Sequence, residues 1–168
     1  MPCYSLTEIE AHCRKAARGA GYHWGEADEL GKATRWLCSN GIDGPKHVLD
    51  MLKQVDGSCS DFRPTSELFD GNKTTTVCGL SFGCALADRC GQFGDISAHI
   101  IGPIIAYAVV GNAVKDADLG ALAKHLKIKV TTGETYTNID IETWASLNTF
   151  AHRTYVPSTE ESRLKGAG

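Results

Sequence analysis

The sequence lacks the features that would place it quickly. No stretch approaches the about 20 consecutive apolar residues that a bilayer-spanning helix needs, so no membrane partner is expected. Charge of either sign is scarce in excess: 17 Lys and Arg stand against 20 Asp and Glu, a net of -3. That balance does not point to nucleic acid or an anionic surface. Structural zinc sites pair cysteines two to four residues apart, and no such pair occurs; His-Glu-x-x-His is also missing. Cys78, Cys84 and Cys90 recur every sixth residue with His99 beyond, but without a knuckle no metal site is predicted, and no motif calls for a cofactor. There is no internal repeat and no low-complexity tract. The opening Met1 to Ser5 runs into a helix pattern without the basic start or apolar segment of a signal peptide.

What is present is a globular balance, 42% hydrophobic and 22% charged over 168 residues, enough for one ordinary domain. All seven cysteines, Cys3, Cys13, Cys38, Cys59, Cys78, Cys84 and Cys90, lie in the first 90 residues. An odd count in a chain able to build its own core reads as reduced, mostly buried thiols in a cytoplasmic setting.

The first third reads as three short helices. Ser5-Leu-Thr-Glu8 is a capping box, after which Leu6, Ile9, Cys13 and Ala16 recur at helical spacing. A turn at Tyr22-His-Trp-Gly25 leads into a second helix with Ala27, Leu30, Ala33 or Thr34, and Leu37 on one face. Asn40-Gly41 stops it, and Gly44-Pro45 starts a third with Val48, Met51, Leu52 and Val55. Residues 58–73 read as a long polar connection. Thr75 begins a strand that could bend at Gly79 or Gly83. Pro103 to about Val114 favours helix, Asp118 to Leu126 a short helix, and Lys127 to Thr132 alternates as a strand. Asp140 caps a last helix in which Ile141, Trp144, Leu147 and Ala151 share a face. The predicted class is α+β: a helical N-terminal unit of three short helices packed with a small sheet and C-terminal helices. The predicted organisation is one domain over 1–168, with a helical subunit over 1–56, a mixed α/β region over 57–157, and a tail over 158–168. The tail opens on a second capping box, Ser158 to Glu161, and is expected to be mobile.

Two sequence features point toward chemistry. Gly79-Leu-Ser81-Phe-Gly83 fits the strand-to-helix elbow that exposes a nucleophilic serine in α/β-hydrolases. Asp118 and His152 stand downstream in the right order for a triad. That fold needs parallel strands before the elbow, where this chain shows helices and a loop, so Ser81 is a weak catalytic candidate. A glycine-interrupted strand explains the pattern equally simply. A catalytic thiol is a further alternative, although nothing selects one cysteine of seven. Gly25 to Lys32 imitates a phosphate-binding loop but has one residue too many between its glycines and no Ser/Thr after the lysine. Its acidic residues, Glu26, Asp28 and Glu29, suit a helix start instead.

The second feature is Ala17-Arg18-Gly-Ala-Gly-Tyr-His-Trp24-Gly25 leading to Arg35-Trp36, with Arg153-Thr-Tyr155 and Ser162-Arg163 adding similar material near the end. Arginine forks suit carboxylate and phosphate, and tryptophan offers a stacking face. The competing reading is a close helix hairpin with buried tryptophans and ion-paired arginines. The candidate ligand-binding residues are Arg18, Trp24, Arg35 and Arg163.

These same blocks, residues 16–44 (AARGAGYHWGEADELGKATRWLCSNGIDG) and 153–168 (RTYVPSTEESRLKGAG), resemble a bacterial family, domain of unknown function 3726. The similarity extends along nearly the whole chain. The resemblance implies a bacterial cytoplasmic protein, transfers no catalytic residue, and implies that related chains continue beyond the closing Gly-Ala-Gly. Residues and resemblance together lead to an accessory or ligand-binding protein of bacterial metabolism, its partner a small anionic metabolite or another protein. A homo-oligomer is compatible with this reading, and a Ser81 hydrolase or thiol-dependent enzyme is the alternative.

Overall fold

Capping chemistry and apolar spacing fix the first three helices, and the computed structural model, which describes residues 1–69, 75–91, 94 and 97–154, shows them where the pattern places them. Helix α1 spans Leu6–Ala20, α2 Trp24–Ser39 and α3 Gly44–Val55. At the start of α1 both halves of the capping box form: Ser5 accepts from the Glu8 amide, and the Glu8 carboxylate accepts from the Ser5 amide. Gly21, with φ 108°, closes α1 in the left-handed conformation that a side chain would resist. Asp43 caps α3, and Pro45 sits in its first turn. The expected apolar stripes of all three helices are buried, apart from Leu6, which is half-buried against the core.

After α3 come a single 3-10 turn, Cys59–Phe62, and a one-turn helix α4, Ser66–Phe69, so the polar connection carries more local structure than expected. Strand β1, Thr75–Cys78, passes directly into α5, Gly79–Asp88. The expected strand does not bend at Gly79; it ends there. The β-branched run stops at Val77, and the segment that follows packs as a helix although Gly79 and Gly83 are poor helix formers. Gly79 is required because a Cβ at that position would lie 2.1 Å from the Gly102 carbonyl oxygen. Strand β2, Ala98–Ile101, pairs parallel to β1 in the register Thr75 to Ala98 through Cys78 to Ile101. A sheet of two strands results among the described residues. Helix α5 is the crossover between them, as parallel pairing demands.

Helix α6, Pro103–Ala113, packs on α5, close enough that a Cβ on Gly83 would meet Ala106 at 2.8 Å. Helix α7 spans Leu119–His125 with Asp118 as its cap. Lys127 to Thr132 is not a strand. Its alternation is real, since Ile128 and Val130 pack half-buried against the sheet side of the core while the lysines face out. Periodicity chose the faces, but among the described residues no backbone partner completes a ladder.

Helix α8, Ile141–His152, returns to the first helices and packs along α1. Its buried face is Thr143, Leu147, Phe150 and Ala151. Ile141, expected on that face, is 64% exposed because it is the first residue after the Asp140 cap, where the chain has only begun to turn onto α1. The segment before α8 is tied to the N-terminus by Tyr4 N to Thr137 O at 3.0 Å and Ile139 N to Pro2 O at 3.2 Å. Two buried clusters result. One lies among α1, α2, α3 and α8 with contributions from α5 and α6; the other lies around β1, α5, α6 and α7. The fold is α+β, with the N-terminal helices packed with the small sheet. The capping box at Ser158 and the tail 158–168 lie outside the described residues.

Candidate anion-binding site

The antiparallel hairpin of α1 and α2 sets residues four apart on α1 against residues on α2. Glu10 meets Arg35 at 3.2 Å and Arg14 meets Asp28 at 3.5 Å. Further along the same row, Arg18 lies over the Trp24 ring, 4.5 Å from its centroid. The backbones approach closely because Gly31 on α2 offers no Cβ; one would lie 2.8 Å from the Glu10 carbonyl oxygen. The first two rungs are ion pairs. The last is a cation on an indole, and Arg18 Nη1 also donates to the Tyr22 carbonyl.

Helix α8 closes the other side. Its path against α1 is fixed by Gly19, where a Cβ would overlap the Phe150 carbonyl at 1.7 Å. That contact brings Arg153 and Thr154, just past the end of α8, beside Arg14, Lys15, Arg18 and Trp24. Together with Gly19 these residues line a cavity of about 510 Å³. Arg153 forms a forked pair with Asp56, at 2.5 and 3.1 Å, and lies over Phe150. The two hydrogen bonds to Asp56 hold the Arg153 guanidinium above its ordinary pKa. Thr154 Oγ1 donates to the Ala151 carbonyl.

The electrostatic balance of this cavity is uneven. Arg14 and Arg153 each face a carboxylate, whereas Lys15 and Arg18 have no carboxylate partner among the described residues. Two cations at one concavity without such a partner repel one another, and an entering anion relieves that repulsion. Arginine and lysine at its wall and a threonine at its rim are groups that bind carboxylate or phosphate oxygens.

Of the four sequence candidates, Arg18 and Trp24 come together here. Arg35 does not line the cavity; it is held by Glu10 farther along the hairpin. Arg163 lies outside the described residues. Arg14, Lys15 and Thr154 were not singled out from the sequence, and Arg153 was noted only as neighbouring material. A signal for the first was available: Arg14 and Arg18 are four apart on one helix face, with Lys15 between.

The Gly79 to Gly83 turn does pass from strand to helix, yet Ser81 is only 5% exposed. Its hydroxyl donates to Glu26 Oε1 at 2.7 Å, while Arg63 holds Glu26 Oε2 at 2.6 Å. That is a linkage between α2, α5 and the 3-10 turn region, with no histidine in it. The thiols are free. Burial pushes Cys38 up to about 11 and Cys84 up to about 12, and raises Cys13, Cys59 and Cys78 as well. Cys78 is buried against the Tyr22 hydroxyl at 2.8 Å and Met51 Sδ at 3.6 Å. Thiols held protonated in this way are poor nucleophiles. Among the described residues, no three His, Cys, Asp or Glu side chains are grouped to hold a metal ion. No helix there is long and apolar enough to cross a membrane.

Residues 4–78 match the family described as Protein of unknown function (DUF3726). The resemblance to that family is therefore shown over this span. The span holds α1 to β1 and with them Arg14, Lys15, Arg18 and Trp24, but not Arg153 and Thr154. No curated protein and no solved structure matches the chain.

Proposed function

We propose that this protein binds a small, multiply charged anion in the cavity between α1, the start of α2 and the end of α8. The observation that carries the reading is the pair Lys15 and Arg18, two cations without carboxylate partners among the described residues, at a 510 Å³ concavity that Arg14 and Arg153 also line. A cavity of this size falls within the about 300–1,000 Å³ of small-molecule sites. The role is one of binding in bacterial metabolism, and Ser81 stays with its Glu26 linkage. A cytoplasmic setting is supported by seven free cysteines, which suit a reducing compartment.

Thermal-shift and calorimetric titration with pyrophosphate and with citrate test the reading. Binding to the folded state raises its apparent stability by mass action. Millimolar pyrophosphate or citrate is expected to raise the melting temperature, and replacing Lys15 and Arg18 together by Gln is expected to abolish the rise. A flat response of the native chain to both anions overturns the proposal.

A further inference from the structure

The three tryptophans are used in different ways. Trp36 meets Tyr107 edge-on and covers Gly111, where a Cβ would lie 2.7 Å from its ring. Trp144 is sandwiched between Tyr4 and His12, with ring centroids 3.8 and 4.0 Å away. Trp24 is 66% exposed at the cavity wall. An indole left in water forgoes the burial that makes such residues useful in packing.

Trp24 is nevertheless held in place. Arg18 covers one face, and the Tyr22 carbonyl accepts from that guanidinium, so two planar groups stand fixed at the cavity before any ligand arrives. Beside it, Gly25 leaves open space: a Cβ there would meet nothing within 4 Å. Indole and guanidinium planes both stack on aromatic rings, and prior ordering lowers the entropic cost of doing so.

We infer that the anion bound at this site carries a planar aromatic ring, as a nucleoside phosphate does, with the ring stacked on the Arg18–Trp24 pair and the phosphate taken by Lys15 and the N–H edge of Arg18. The inference rests on the anion-binding reading and adds the ligand class to it. The Arg18–Trp24 pair selects the ring; Lys15 and the Arg18 edge select the charge. Neither half requires a metal or a chemical step.

The test is calorimetric titration of the full chain with AMP and with ribose 5-phosphate, which share sugar and phosphate and differ by the base, with pyrophosphate as a third titrant. AMP is expected to bind at least about fivefold tighter than ribose 5-phosphate, the smaller end of a single stacking contribution. It is also expected to quench indole fluorescence. Trp24→Leu should erase the advantage of AMP over ribose 5-phosphate, while Trp24→Phe should keep some of it. The ring inference is overturned if AMP binds no tighter than ribose 5-phosphate, or if Trp24→Leu leaves the difference intact. In either case pyrophosphate separates the two readings: if it binds, only the ring is lost, and if it does not, the anion site falls too.

Discussion

Two glycine-flanked turns carry the polar residues that stand out in this sequence, and they handle polarity in opposite ways. At Gly79 to Gly83 the serine is buried, its hydroxyl given to Glu26 and the carboxylate shared with Arg63. Every strong partner there is committed. At Arg18 to Trp24 the polar groups face a cavity, and Lys15 and Arg18 lack carboxylate partners among the described residues. Buried polar groups must be paired because an unmade hydrogen bond costs about 1–3 kcal/mol, so the satisfied turn holds elements together. Charges at a cavity mouth can wait for a ligand, since water solvates them meanwhile. The motif with the sharper sequence pattern is thus the structural one, and the looser cluster is the proposed site.

The comparison breaks first at Gly79. Gly79→Ala drives a Cβ against the Gly102 carbonyl at 2.1 Å, and overpacking against backbone is expected to cost about 3 kcal/mol in urea unfolding. A loss below about 1 kcal/mol would show that the turn yields and is no rigid joint. Next, Ser81→Ala removes one buried hydrogen bond to Glu26. About 1 kcal/mol of stability should go, while pyrophosphate affinity stays unchanged. Loss of binding with intact stability would move the site to the wrong turn.

Smaller again is Arg35→Gln, which breaks an exposed pair with Glu10. Roughly 0.5 kcal/mol is at stake, and titration should show affinity within about twofold of the original. A larger drop would return Arg35 to the ligand. The smallest effect concerns pH. Burial holds His12 below its usual 6.5; nearby Lys15 and His152 push the same way, and the Trp144 backbone opposes them. His47 is lowered too, again mainly by burial, with Asp43 and Asp50 opposing. Below about pH 6.5 the unfolded chain therefore takes up protons that the folded one refuses. The contribution is fully present above about 6.5 and is lost as pH falls through it toward the folded value. His12→Phe keeps a ring beside Trp144 and should flatten the fall in stability between about pH 7 and 5 without removing the share due to His47. An unchanged slope would count against burial of the His12 ring in this stack.

Much of the helical half was legible because its signals are local. The Ser5 capping box, the Asn40-Gly41 stop and Pro45 act within a turn of the residues they fix. The second half depends on contacts distant in sequence. Gly79 reads as a bend in a strand until Gly102 is known to pass beside it, and the alternation of 127–132 cannot reveal whether a backbone partner exists. The site divides the same way. Arg18 and Trp24 announce themselves around one turn, whereas Arg153 joins them only because Gly19 lets α8 lie against α1. Arg35 looked equivalent to Arg18 in sequence; the difference is Glu10, one rung along the hairpin.

The central claim is that cations without carboxylate partners among the described residues make this cavity an anion site. The most direct measurement is calorimetric titration of pyrophosphate into the native chain and into Lys15→Gln. Lys15 is exposed, and glutamine is as good a helix former, so folding should be unaffected. Saturable binding to the native chain, weakened about tenfold or more by the substitution at unchanged melting temperature, is the expected result. Equal affinity in the two proteins, or no binding to either, would contradict the account.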